Sequence, residues 1–416
     1  MDLDCFFAAA HRIDNPELDN IPIAVGGRSN LNIFDSKKQI KTYSAVNGAF
    51  ASSLISIDDT KEEEYFLDKN GIPRGIITTS SYEARALGVK TAMSVSQALR
   101  ICPTLKMIKP NYPLYHELSH KLKILLENEI PSIEQFSIDE FFCDVTGWIE
   151  DKEVFEFAVI LKDKIQKELK LPISIGIAKT KWIAKLATND AKPHGVYLVH
   201  PNEVQEYIKN KPLNSFPGIG KAFLEKISGH GISTLGDIKK KQELFYSHGK
   251  IGQQIYDRVN GLDEEKISAR EDKKSIGIGR SFDPEIDREE IKRRLIILCR
   301  HLTFIAHKGN HQPTSFGLKI KYQYGITSND TINTNREFSE QNFKKEIINL
   351  FPTVDKHPSH AITQLSLSLG SFQENSQKTF DLFNQEEDSK LSNLSNSMQK
   401  LRDKFGVDII KSGSEL

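Results

Sequence analysis

Two short acidic stretches carry residue types suited to chemistry. The chain opens MDLDCFFAAA, with Asp2 and Asp4 either side of Leu3, and later reads SIEQFSIDEFFCDVTG, with Asp139 and Glu140 adjacent. On a strand, period-two alternation would point Asp2 and Asp4 to one face. Ile138, Phe141 and Phe142 flank the second pair. That places those acids at a core edge, where a carboxylate is expensive unless a cation compensates it. Asp2, Asp139 and Glu140 together supply three carboxylates from two strands, the number needed to hold a pair of Mg²⁺ ions about 4 Å apart for phosphoryl transfer. One metal would lower the pKa of an attacking hydroxyl, and the other would neutralise the leaving group. Taken singly, the first stretch also reads as a frayed polar terminus and the second as an ordinary β-turn.

The elements that must position these acids show as apolar runs. Residues 1 to about 198 mix short strands (IPIAVGG, RGIITTS, PISIGIA, GVYLV) with helical runs at 113–128 and 152–170, an α/β or α+β body. From about 199 to 270 short helices alternate with glycines. From about 274 to 372 the segments SIGIGRSF, TSFGLKIKYQYG, INTNREFS and ITQLSLSLGSF read as strands of a sheet with one solvent face, with helices at roughly 287–308 and 339–351. The tail from 373 is rich in Glu, Ser and Asn and is expected to be a flexible arm. No internal repeat is visible.

Composition narrows the class. A chain of 416 residues is long enough for two to four domains, and its 38% apolar and 27% charged residues are those of a water-soluble globular protein. No stretch reaches a membrane span and no basic leader precedes an apolar core, so an intracellular, cytoplasmic protein is expected. Cys5, Cys102, Cys143 and Cys299 are scattered without C-x-x-C pairing, which points away from a zinc site or a disulfide framework. The formal net charge of zero decides nothing about nucleic acid, because a basic cleft can be offset by an acidic face.

MDLDCFFAAAHRIDNPEL, SYEARALGVKTAMSVSQAL, SIDEFFCDVTG and GIAKTKWIAKLATNDAKPHG resemble, in that order, the four signature segments of Y-family translesion DNA polymerases, nearest their DNA polymerase IV or DinB-like branch. The resemblance implies an α+β multidomain right hand. Its palm would take residues 1–8 and 106–198, its fingers 9–105, a helix-hairpin-helix thumb 199–270, a little-finger domain 274–372 and a tail 373–416. It implies template-directed synthesis past damaged bases, with primer-template DNA, dNTP and two Mg²⁺ per active site. Asp2 and Asp139 would bridge both metals, Glu140 would bind the catalytic one, and the Leu3 carbonyl would complete the other. Asp4 is then the lesser ligand. Tyr82 would hydrogen-bond the triphosphate and Arg85 would grip it through a bidentate ion pair, with Thr79 as a weaker candidate and Lys192 reaching the same phosphates. Phe7 would lie under the incoming sugar, where its ring collides with a ribose 2′-hydroxyl, whereas Phe6 reads as core.

Further segments fit a DNA track. FPGIGKAFLEKISGHGIST resembles a helix-hairpin-helix in which the amides of Gly218, Ile219 and Gly220 approach a phosphate. Lys292, Arg293, Arg294 and Arg300 on one expected helix, with Arg280, Lys319, Lys321 and Arg336 on expected strands, read as a phosphate-binding surface, although charge runs are commonly just solvated faces. In the tail, Gln377, Phe380, Leu382 and Phe383 match the bacterial sliding-clamp peptide, the other reading being a staple for the following helix.

Two departures from the family pattern stand out. Relatives extend the first strand several residues ahead of the metal-binding aspartate, so Asp2 is expected on a frayed end. Relatives also have a short turn where this chain has residues 28–74, expected as an exposed, charged excursion over the fingers. The sequence thus reads as a Mg²⁺-dependent DNA polymerase acting as a monomer on a bacterial clamp. The alternatives are a catalytically impaired DNA- and clamp-binding protein, owing to the short N-terminus, and more distantly a two-metal nuclease.

Overall fold

Apolar runs become strands and 3.6-periodic stretches become helices, mixed along the whole chain. The computed structural model describes residues 1–35, 42–44, 54–56, 60–68, 70–268, 273–373 and 384–415. In order, the elements begin with β1 (Asp2–Leu3), α1 (Phe6–Asp14), β2 (Ile23–Gly27), β3 (Thr42–Ser44), β4 (Leu54–Ser56), α2 (Glu62–Tyr65) and β5 (Ile76–Ser80). They continue through α3 (Tyr82–Ala86), α4 (Val95–Ile101), β6 (Lys106–Ile108), α5 (Tyr112–Glu129), β7 (Ser132–Gln135), β8 (Phe141–Asp144), α6 (Val154–Leu169), β9 (Ile173–Ala178), α7 (Lys181–Ala191) and β10 (Val196–Val199). Five short helices follow: α8 (Val204–Ile208), α9 (Lys221–Ile227), α10 (Leu235–Ile238), α11 (Gln242–Ser247) and α12 (Gly249–Val259). The rest is β11 (Ser275–Glu285), α13 (Arg288–Lys308), β12 (Pro313–Tyr322), β13 (Thr327–Asn333), α14 (Glu340–Val354), β14 (Ile362–Phe372) and α15 (Gln385–Phe405).

The chain divides into two units, and the first comprises Met1–Val25, Ile77–Met93 and Gln97–Glu271. Its β1 is two residues long yet bonded on both edges. It pairs antiparallel with β9, Asp2 opposite Ser174 and Leu3 opposite Ile173. On its other side Asp2 bridges Glu140, the Leu3 amide donates to the Asp139 carbonyl at 2.9 Å, and the Met1 ammonium donates to the Phe141 carbonyl at 2.9 Å. Asp2 is therefore fixed in a ladder, not frayed as expected. β9 runs parallel to β10, and α7 lies against β9 at Gly176. A Cβ built there would sit 2.2 Å from the Ala184 carbonyl oxygen, so only glycine permits that approach. The short helices α8 to α12 share an apolar cluster with α7, built on Trp182, Ile183, Phe216, Phe223 and Phe245.

The second unit comprises Gly26–Ile76, Ser94–Ser96 and Asp272–Leu416. Its four-stranded antiparallel sheet has the order β11-β14-β12-β13 and packs one face on α13 and α14. Alternation sends Phe316, Leu318, Ile320 and Tyr322 of β12 and Leu365, Leu367 and Leu369 of β14 into the core. INTNREFS was expected as a strand, but the pairing strand is Thr327–Asn333, and Arg336 lies in the loop after it.

Two expectations about this unit change. The described part of the insertion belongs to its core: Ile33 and Phe34 are buried with β11 and α13, the Phe34 and Phe282 rings meet edge-on at 6.0 Å, and Arg293 donates to the Phe34 carbonyl at 3.0 Å. The tail is not flexible throughout, because residues 385–405 form α15, held by polar contacts. Arg402 pairs with Glu340, and Asp388 accepts from Arg336 at 2.6 Å and from Asn342 at 3.0 Å. Beyond it, Asp408 and Glu415 close on Arg300, which is 1% exposed, at 2.5 and 2.7 Å.

Candidate active site

The first unit gathers the acids on two adjoining elements. Asp2 lies on β1, while Asp139 and Glu140 occupy the turn between β7 and β8, closed by the Phe136 amide donating to the Glu140 carbonyl at 3.0 Å. Each acid has a compensating group. Lys192, capping the end of α7, reaches Asp2 at 2.7 Å, Lys185 pairs with Glu140, and the Ser137 hydroxyl donates to Asp139 at 2.5 Å. Burial pushes the Asp139 carboxyl above its ordinary value, and the negative Asp2 and Glu140 beside it add to that against the Ser137 hydrogen bond. A site that strains to hold negative charge is one that a cation would relieve.

Lys185 was missed by sequence reasoning, although a signal existed. It lies seven residues before Lys192, two helical turns away on the same side of α7. Among the described residues no three carboxylate, imidazole or thiolate side chains stand close enough to cage a metal as they are. The donor set itself, hard carboxylate oxygens from three residues, fits Mg²⁺.

The nucleotide candidates lie on other elements of the same unit. Thr79 is on β5, with Tyr82 and Arg85 on α3, whose N-cap Ser81 accepts from the Ala84 amide. Arg85 is exposed; its Nε donates to the Ser80 carbonyl at 3.0 Å and its guanidinium lies 5.2 Å from the Tyr82 ring centre. Tyr82 differs from expectation, since its single hydroxyl proton goes to Asp4 at 3.2 Å and not outward. Burial, then the Asp4 charge, raises its pKa well above the ordinary phenol value, so it stays protonated. Nor do Asp2 and Asp4 share a strand face. β1 stops at Leu3, Cys5 turns left-handed at φ 47°, and Asp4 is 1% exposed. Phe6 is buried, while Phe7 is half-buried and stacked on Tyr115 at 4.1 Å with rings 7° apart.

The expected DNA contacts are only partly presented. Gly218 is left-handed at φ 96° and Gly220 caps α9, but the Ile219 amide is already given to the Phe216 carbonyl at 3.1 Å. In the second unit Lys319 and Lys321 are exposed on β12, and Arg280 lies on β11 opposite Leu365. The basic run on α13 is engaged by acids. Lys292 pairs with Glu289, Arg293 and Arg294 with Glu290, and Arg300 with Asp408 and Glu415. Arg336 is likewise engaged by Glu387 and Asp388. Gln377, Phe380, Leu382 and Phe383 lie outside the described residues.

Comparison with known proteins adds independent findings. The impB/mucB/samB family matches residues 1–189, its C-terminal domain residues 273–382, and the HHH motif of the same family residues 201–232. A DNA polymerase IV of Photorhabdus laumondii is 32% identical over 302 residues, covering 71% of this chain and 73% of that protein. A DNA polymerase IV of Pasteurella multocida is 30% identical over 341 residues, covering 77% and 81%. Among solved structures, a Y-family DNA polymerase chimera superposes with a TM-score of 0.71 at 22% identity, covering 90% of this chain and 98% of the other. An insertion ternary complex of Dbh DNA polymerase gives a TM-score of 0.54 at 22% identity over the same shares.

Proposed function

The chain belongs to the impB/mucB/samB family of Y-family DNA polymerases, and from that premise we propose how its residues carry out DNA-directed DNA synthesis past damaged bases. The observation that carries the reading is the convergence of Asp2, Asp139 and Glu140 on one ladder, with Lys185 and Lys192 already supplying positive charge there. Asp2, Asp139, Glu140 and the Leu3 carbonyl would hold two Mg²⁺. Those ions would supply Lewis-acid activation of the primer hydroxyl and charge neutralisation at the leaving phosphate. Lys192, Arg85, Tyr82 and Thr79 would bind the triphosphate. The flat stack on Tyr115 fixes the plane of Phe7, which would bar a ribose 2′-hydroxyl by bulk.

Asp139→Asn or Glu140→Gln should abolish primer extension while leaving primer-template affinity within about twofold, because a lost ligand charge disables metal placement and not DNA contact. Undiminished extension by either variant would refute the assignment. DNA would be held by the glycine turn at Gly218 and Gly220 and by the exposed β12 lysines, with Arg280 and Arg336 as further candidates, Arg336 only once it leaves its acidic partners. No helix among the described residues is long and apolar enough to cross a membrane, and a cytoplasmic monomer remains our reading. For the clamp, the spacing of Gln377, Phe380, Leu382 and Phe383 supports an anchor peptide. Replacing Leu382 and Phe383 by Ala should leave clamp-free extension unchanged and remove its stimulation by a bacterial clamp; normal stimulation would reduce the stretch to a structural staple.

A further inference from the structure

Asp4 has no role in the metal centre as assigned, yet it is among the most enclosed charges of the first unit. Its carboxylate is 1% exposed and, among the described residues, forms no ion pair. Such a group is tolerated only if its lone pairs are filled by well-placed donors. They are: Oδ1 accepts from the Tyr82 hydroxyl at 3.2 Å, Oδ2 from the His194 amide at 2.7 Å, and the Ser174 hydroxyl shares its one proton between Oδ1 at 3.0 Å and Oδ2 at 2.9 Å. These donors come from three separate segments: α3, β9 and the turn after α7. Two of the segments carry the cations proposed for the triphosphate. Tyr82 supports the Arg85 guanidinium on its ring, and His194 lies two residues after Lys192. Asp4 itself is two residues from Asp2, so one short stretch registers both phosphate-facing segments against the metal-facing acid.

We propose that Asp4 is a positioning residue for nucleotide binding: its carboxylate holds the Tyr82 hydroxyl and the His194 amide, and through them sets where Arg85 and Lys192 stand. A charge-assisted hydrogen bond to a backbone amide is short and directional, so it fixes a turn better than apolar packing would. Ser174 is the adjustable member, since a hydroxyl can rotate to donate or accept.

The inference rests on reading Arg85 and Lys192 as triphosphate ligands, and its test separates the two. Single-nucleotide incorporation by the full chain is measured for Asp4→Ala, Asp4→Asn and Ser174→Ala, with primer-template Kd and Tm alongside. Asp4→Ala should raise the dNTP KM about tenfold or more, at least the worth of a single charge-assisted hydrogen bond, with kcat altered less than about threefold and DNA Kd unchanged. Asp4→Asn keeps an oxygen for the His194 amide and lets Ser174 turn to accept, so it should recover most of the KM. In a Lys192→Ala background the Asp4→Ala penalty should shrink, because effects acting through one group do not add. A folded Asp4→Ala enzyme with wild-type KM would overturn the proposal. So would a KM rise matched by weakened DNA binding, or one undiminished without Lys192. Should Asp4→Ala not fold, Ser174→Ala decides. It removes one of the donors holding Asp4 and should raise KM about threefold at unchanged Tm; no rise counts against the role. Absence of extension by the wild-type chain would instead refute the polymerase reading, and this proposal with it.

Discussion

At the level of single residues, the site is a balance of like charges held by borrowed cations. The acids were legible in the sequence because carboxylates flanked by Leu3, Ile138 and Phe141 contradict the ordinary preference of charge for water. Their partners were not, since nothing in the local sequence says that Ser174 meets Asp4 or that Lys185 meets Glu140; both depend on the β1–β9 register. Phe7 carries a sharper expectation. Its ring is held flat on Tyr115, so shortening it leaves a fixed void and not a collapsed one. Phe7→Ala should therefore admit ribonucleotides, with discrimination against rNTPs falling at least about a hundredfold in competitive single-nucleotide incorporation, since the barrier is a clash. Discrimination unchanged within error would place the sugar gate on another residue.

Among elements, the seat of α7 on β9 tolerates no added carbon. Gly176→Ala would place a methyl group 2.2 Å from the Ala184 carbonyl oxygen and 2.3 Å from the Thr188 amide nitrogen, neither of which can swing aside. The helix must lift, and overpacking of this kind destabilises by about 1–3 kcal/mol. Because α7 carries Lys185 and ends at Lys192, thermal unfolding and dNTP KM should worsen together; a Tm lowered at normal KM would disconnect helix seating from nucleotide binding. Strands IPIAVGG, PISIGIA and GVYLV were readable as apolar runs, as were α5, α6, α13 and α14 from their period. β13 was not, because TSNDTIN is an edge strand with polar groups on both faces and offers no alternation. The tail helix was anticipated, but its docking as α15 was missed for a related reason. Its buried positions are Asp388, Ser395, Gln399 and Arg402, so it docks through ion pairs and hydrogen bonds and not through an apolar stripe, and such a composition reads as disorder.

Over the whole molecule, the two units differ in how they keep charge. The first concentrates it at the site, and the second buries it as structure. His301 is fully buried, and desolvation, helped by Arg300 and opposed by Asp408, pushes its pKa down to about 4. The unfolded imidazole, near 6.5, therefore takes a proton that the folded one refuses, so stability falls as pH drops from about 6.5 to 4, by on the order of 3 kcal/mol in total. Burial alone would raise the Glu415 carboxyl, but Arg300 and Lys344 outweigh it and hold it at about 2, so its contribution is lost only at lower pH still. Urea unfolding of the full chain, followed by a probe in the second unit, should show that slope, and His301→Gln should flatten it between pH 4 and 6.5; an equal slope in the variant would assign the acid sensitivity to other groups. The closure of Asp408 and Glu415 on Arg300 also has a consequence for synthesis on the ribosome. Ile33 and Phe34, translated early, belong to a core whose buried guanidinium pairs, among the described residues, only with Asp408 and Glu415. The second unit must therefore wait, with apolar surface uncovered, until residues 408 and 415 have emerged. A chain interrupted before residue 408 would then leave Arg300 buried without those counter-charges, and its second unit dependent on chaperones.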